Sequence, residues 1–168
     1  MDENRFINMY NGGANIDLRE ILKQMITVDN FRLHSGKEAL LKFDIDKLDK
    51  EICEDIFIYG MSNNVYIPGV IMSGASRFIK KGTKHIQIYP DIPDFNLYLP
   101  FGYNISLENR NVYLIDDVVT TGNAMDSAQK ILENNGFVVS GKICLLNRGN
   151  YKCKSLINRE QMMEWLGL

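Results

Sequence analysis

The chain has 168 residues, 45% of them hydrophobic and 24% charged, and a formal net charge of −2. Those figures suit one globular domain with a real core, and a near-neutral chain without a long basic run lacks the electrostatic footprint of a nucleic-acid binder. No apolar run is long enough to span a bilayer, and the N-terminus carries no secretory pattern.

The three cysteines, Cys53, Cys144 and Cys153, are irregularly spaced and read as reduced thiols of a cytoplasmic protein. With only His34 and His85 to offer, a histidine-rich metal site is not expected.

Residues 1–15 are polar and expected to be loose; the rest, and so the whole 1–168 chain, reads as a single domain. Asp17 looks like a helix cap, and Leu18, Ile21, Leu22 and Met25 follow at helical spacing. Phe31 to Asp46 alternates apolar runs with Ser35-Gly36, as in two strands joined by a turn. Ile56-Phe-Ile-Tyr59 reads as a strand ended by Gly60. Pro68 suits the first turn of a helix, with Ile71, Gly74, Ala75, Phe78 and Ile79 as its buried stripe and Gly82 as its stop.

His85 to Tyr89 alternates like a strand, and the prolines of 90–110 predict loop with one short strand. Val112 to Ile115 is an apolar strand ended by Asp116 and Asp117. After Thr120, Thr121 and Gly122 a helix begins, its face predicted to hold Ala124, Ala128, Ile131 and Leu132, and Asn134-Asn-Gly136 closes it. Phe137 to Leu146 is a further strand, and Asn158-Arg-Glu-Gln161 predicts a capping box for a last helix through Trp165. Strands alternating with helices imply a mostly parallel sheet in an α/β fold, with ligands beyond the carboxyl ends of the strands.

The stretch from Asn111 to Ala124 carries the chemistry. A tight turn at a helix N-terminus aims backbone N–H groups at one point, where the helix dipole favours an anion. Gly122 lets backbone approach a phosphate, and Thr120 and Thr121 add donors. Asp116 and Asp117 repel phosphate but accept from vicinal hydroxyls and suit a hard cation such as Mg2+. An anion site beside an acceptor pair matches a ribose 5-phosphate.

Leu114-Ile-Asp-Asp-Val-Val-Thr-Thr-Gly-Asn-Ala124 resembles the phosphoribosyl pyrophosphate (PRPP) binding motif of the type I phosphoribosyltransferases. The resemblance implies a three-layer fold: a central, mostly parallel sheet flanked by helices, with a small N-terminal hood. It implies that Asp116, Asp117, Val118, Val119, Thr120, Thr121, Gly122, Asn123 and Ala124 hold PRPP. Asp116 and Asp117 would be the catalytic pair, with Mg2+ brought by the substrate. A cytoplasmic homodimer is the usual form.

Phe31-Arg-Leu-His-Ser-Gly-Lys37, with Phe43-Asp44 after it, is similar to the N-terminal segment of the orotate members. Carried over, Phe43 packs on the base, His34 stands where many relatives carry a basic residue, and Arg148 of Asn147-Arg148 meets the base carboxylate. A guanidinium fork suits such a carboxylate. Gly60 to Pro68 corresponds to the pyrophosphate loop, with Ser62, Asn63 and Asn64 as donors but Val65 and Tyr66 where the family has glycine. The family's Arg-Lys-x-x-Lys-x-x-Gly loop is not found between Gly82 and Arg110. The expected activity is transfer of 5-phosphoribosyl from PRPP to orotate. The alternatives are a protein of the same fold that binds PRPP or nucleotide without transfer, and a transferase for another base.

Overall fold

The computed structural model describes residues 18–32, 38–50, 53, 67–71, 74–79, 82, 84–93, 97–98 and 110–167. Leu18, Ile21, Leu22 and Met25 are fully buried along one face of helix α1 (Leu18–Met25), as their three- and four-residue steps require. Asp17 lies outside the described residues. Strands β1 (Ile26–Arg32) and β2 (Glu38–Phe43) follow as an antiparallel hairpin, the expected hood. Its base is closed by Asp44, whose N–H donates to the Met25 carbonyl at 2.8 Å, and by Lys47, whose Nζ donates to the Ile26 carbonyl and to Thr27 Oγ1.

The central sheet holds β3 (Ile67–Ile71), β4 (Ile86–Ile88), β5 (Leu97–Tyr98), β6 (Asn111–Val119), β7 (Val138–Asn147) and β8 (Lys154–Ile157). Among the described residues its order is β5-β4-β3-β6-β7-β8, and every pairing but β4 with β5 is parallel. Period-two alternation sorts its side chains into two layers. Val70, Ile115, Ile143 and Leu145 pack with α1, with Ile45 and Leu48, and with Met162 of α3 (Arg159–Leu166). Ile67, Ile71, Val112, Leu114 and Cys144 pack with Met125, Ala128 and Leu132 of α2 (Asn123–Asn134). The result is helix and hood, sheet, helix: the three-layer arrangement expected.

Three local readings change. The helix expected from Pro68 is instead strand β3, followed by a single 3-10 turn at Ala75–Phe78. Ile67, Val70 and Ile71 are β-branched and feed both layers, so a fully buried strand satisfies them better than a one-sided helix. Pro68 is tolerated because it sits where the ladder is only beginning. Strand β6 does not stop at the acids but runs on to Val119, since Val118 and Val119 pair with Leu146 and Asn147. In α2, Ala124 is exposed and Met125 takes the buried position expected of it, with Ile131 at the edge.

β4, β5, β7 and the stop at Gly136 stand close to their predicted places, while β8 had no counterpart in the reading. The capping box on α3 is complete: Asn158 Oδ1 accepts from the Gln161 N–H and Gln161 Oε1 from the Asn158 N–H, both at 2.9 Å. The strand expected at Ile56–Tyr59 and the turn at Ser35-Gly36 lie outside the described residues. Among the described residues no helix is long and apolar enough to cross a membrane.

Candidate active site

From β3 the chain moves outward to β4 and β5, then returns to the other flank of β3 with β6. The order therefore reverses between β3 and β6, and in open α/β sheets such a reversal marks the ligand crevice beyond the carboxyl ends of the strands. The acid pair, the Thr-Thr-Gly turn and the start of α2 all lie there.

Asp116 is 4% exposed, and each carboxylate of the pair is anchored by the next amide. The Asp117 N–H donates to Asp116 Oδ1 at 2.8 Å, and the Val118 N–H donates to Asp117 Oδ1 at 2.7 Å. These bonds help to fix both carboxyl planes near the carboxyl end of β6. The chain after β3 arrives at the same place. A Cβ on Gly74 would overlap the Asp117 carboxylate and the Ile45 side chain. The loop beside the acids is therefore the one that follows β3.

Ser62, Asn63 and Asn64, expected in the pyrophosphate loop, lie outside the described residues. Gly74, expected in the buried stripe of a helix, instead lies against the Asp117 carboxylate.

The Thr-Thr-Gly turn leads directly into α2. Gly122 has φ +84°, a left-handed conformation that costs other residues about 1–2 kcal/mol. It is the N-cap of α2 and supplies no side-chain cap of its own. Thr121 Oγ1 accepts from the Asn123 N–H at 3.3 Å, and the Asp126 N–H donates to the Gly122 carbonyl at 2.9 Å.

Two predicted base-site residues, distant in sequence, meet in space. The Arg148 guanidinium carbon lies 5.1 Å from the centroid of the Phe43 ring. Burial pushes the Arg148 pKa below its ordinary value, so this cation is partly stripped of water. The ring that was expected to pack on a base thus packs on the arginine, a cation–π contact worth about 1 kcal/mol. His34 lies outside the described residues.

Several contacts here are not legible in the sequence. Asn147, 7% exposed, accepts from the Gly149 N–H at 3.1 Å and donates through Nδ2 to the Tyr151 carbonyl at 2.8 Å. The Arg148 N–H donates to the Val119 carbonyl at 2.9 Å. Tyr151, Lys142 and Asp126 form a cluster on the flank of α2. Only the pairing of two parallel strands could have revealed them.

The thiols of Cys144 and Cys153 lie 3.7 Å apart and are free, as is Cys53. Their hydrogen bond and burial push the Cys144 pKa well up, whereas that hydrogen bond lowers the Cys153 pKa, with help from the Lys142 charge. Among the described residues no three of His, Cys, Asp and Glu cluster as metal ligands. The two carboxylates of Asp116 and Asp117 are an all-oxygen pair of the kind that suits a hard cation such as Mg2+.

No family model matches the chain. Over 131 residues it is 30% identical to the orotate phosphoribosyltransferase of Picrophilus torridus, covering 73% of this chain and 78% of that one. Over 69 residues it is 33% identical to the adenine phosphoribosyltransferase of Corynebacterium jeikeium, an alignment spanning 38% of this chain and only 33% of that enzyme. Its fold matches the crystal structure of the orotate phosphoribosyltransferase from Aeropyrum pernix with a TM-score of 0.65 at 19% identity, over 89% of this chain and 98% of that one. With that fold and that relative, the chain belongs to the type I phosphoribosyltransferases and resembles their orotate members.

Proposed function

We propose that the chain transfers the 5-phosphoribosyl group of PRPP to orotate, giving orotidine 5'-phosphate and pyrophosphate. The observation that carries this reading is the convergence at one end of the sheet of an anchored acid pair, the β3 loop at Gly74, and a left-handed glycine turn at the N-terminus of α2. The turn from Thr120 to Ala124 offers N–H and hydroxyl donors to the 5-phosphate, with Val118 and Val119 leading into it. Asp116 and Asp117 accept from the ribose hydroxyls.

Arg148 is the cation for an acidic base, held on Phe43 with its fork aimed by that ring. A carboxylated pyrimidine is favoured because a half-desolvated guanidinium gains most from a planar anion. Bound with the substrate, Mg2+ would neutralise charge on the departing pyrophosphate. Asp116 and Asp117 are the residues that would face it. The side chains otherwise position the reactants and stabilise charge, since no covalent intermediate is needed. A cytoplasmic homodimer is the setting that the family resemblance implies.

The test is direct. The protein is incubated with Mg2+, PRPP and a panel of bases while orotate absorbance and pyrophosphate release are followed. Turnover with orotate above the other bases supports the reading. Turnover with a different base moves the specificity but not the chemistry. PRPP binding by calorimetry with no turnover on any base would leave a binding protein, the alternative favoured by the missing Arg-Lys-x-x-Lys-x-x-Gly pattern.

A further inference from the structure

The anion turn is braced from outside its own motif. The ring of Tyr151 lies so close to Gly122 that a Cβ there would overlap it. The Tyr151 hydroxyl donates to Asp126 Oδ1 at 2.7 Å and accepts from Lys142 Nζ at 2.6 Å. Lys142 Nζ also stands 3.7 Å from the same Asp126 oxygen. Asp126 in turn belongs to the first turn of α2 and holds the Gly122 carbonyl through its N–H. Ring, hydroxyl and helix start therefore close around the one residue whose conformation the turn depends on.

The brace is itself held. Asn147 fixes the Tyr151 carbonyl and the Gly149 N–H. Gly149 packs onto the Thr120 carbonyl with no room for a Cβ, and the Arg148 N–H binds the Val119 carbonyl. Residues 148–151 are thus fastened along residues 119–122. The cluster also answers an electrostatic problem. A carboxylate in the first turn of a helix suits the dipole but opposes an anion at the same N-terminus. A cation and a hydroxyl hold the Asp126 carboxylate on the flank of α2 and offset its charge.

We propose that Tyr151 is a positioning residue for the phosphate turn and sets its affinity for a sugar 5-phosphate, an inference that rests on the ribose-phosphate reading of that turn. It works through Gly122 and Asp126 and touches no reacting atom. Tyr151→Phe keeps the ring and removes the hydroxyl link; Tyr151→Leu removes both.

Two measurements are paired: steady-state kinetics with PRPP and orotate, and calorimetric binding of ribose 5-phosphate, which needs no base. The KM for PRPP and the Kd for ribose 5-phosphate should rise together, by about threefold in the Phe variant and about tenfold or more in the Leu variant. The kcat and the KM for orotate should stay within about twofold of wild type. Unchanged ribose 5-phosphate binding in a folded Leu variant, or in the Phe variant should the Leu variant not fold, overturns the inference. So does a loss shared equally by both substrates. If the wild type turns over no base yet ribose 5-phosphate binding weakens in this order, the transferase reading fails and the role of Tyr151 stands. A wild type that binds no ribose 5-phosphate overturns the inference, and the transferase reading with it where no base is turned over.

Discussion

The guanidinium of Arg148 rests on the ring of Phe43, 5.1 Å from its centroid, and so ties the end of β7 to the end of the hood. One residue directly follows β7, and the other ends the N-terminal hairpin. Their contact makes the crevice a shared product of both.

Arg148→Ala should therefore raise the KM for orotate at least about tenfold, the cost of losing a charge-assisted fork, while changing the KM for PRPP less than about twofold. Arg148→Lys should recover little, because a point charge lacks the planar fork. Phe43→Leu should raise the orotate KM by only a few-fold, through loss of the cation–π support worth about 1 kcal/mol. Steady-state kinetics with each substrate varied separates these cases. Equal weakening of both substrates by Arg148→Ala would remove it from the base site.

Asp116 and Asp117 are held alike but exposed differently. Each accepts from the next amide, but Asp116 is almost wholly buried and Asp117 is only partly so, against Gly74. Asparagine preserves the acceptor for those amides, so either single Asn variant should fold with a melting temperature near that of wild type. Both should lose about a hundredfold or more in kcat/KM, on the scale of removing one preorganised electrostatic partner from a reacting centre. Gly74→Ala should reproduce part of the Asp117→Asn defect without altering any charge, because its Cβ would displace the carboxylate. Full activity in Gly74→Ala would show that the β3 loop does not abut the working site.

Much of this was legible in the chain because it is local. The αL glycine before α2, the stripe of α1 and the capping box of α3 depend on residues a few positions apart, and each stands where its pattern puts it. The strand at β3 was misread because Ile67-Pro-Gly-Val-Ile71 is short and apolar, and period alone does not separate a buried strand from a helix start. Gly74, expected in the stripe of that helix, thus comes to lie against Asp117. Tyr151 was invisible for another reason: its role comes from the pairing of β6 with β7, which brings residues 148–151 onto 119–122.

Gly122 is the point where local and distant constraints meet. Gly122→Ala should add the cost of a left-handed alanine, about 1–2 kcal/mol, to the displacement of the Tyr151 ring. A drop of several degrees in Tm should accompany the loss of ribose 5-phosphate binding. Gly136, also at positive φ but at the far end of α2, is the control. Gly136→Ala should lower Tm by a similar strain term while leaving phosphate binding intact. Equal binding loss in both variants, read by calorimetry, would mean that only global stability had been perturbed.

The two neighbouring thiols should differ sharply in reactivity. Cys153 is partly exposed, and its pKa is lowered by the hydrogen bond with Cys144 and by the Lys142 charge against the opposing effect of burial. Cys144 is buried, and that hydrogen bond, burial and the carboxylates of Asp116 and Asp117 all hold it in the thiol form. Since the thiolate is the nucleophile, iodoacetamide should alkylate Cys153 first, with a rate that rises through a midpoint below that of an ordinary thiol. Cys144 should stay unmodified until the protein is unfolded. Lys142→Met should move the Cys153 midpoint upward, because it removes a neighbouring cation that favours the thiolate. The same variant releases one partner of the Tyr151 hydroxyl, so its ribose 5-phosphate affinity should fall in parallel. Peptide mass mapping across a pH series reads the first effect and calorimetry the second. Labelling of Cys144 as fast as Cys153 in the native protein would contradict the buried pairing of β6 and β7 at Asp116 and Cys144.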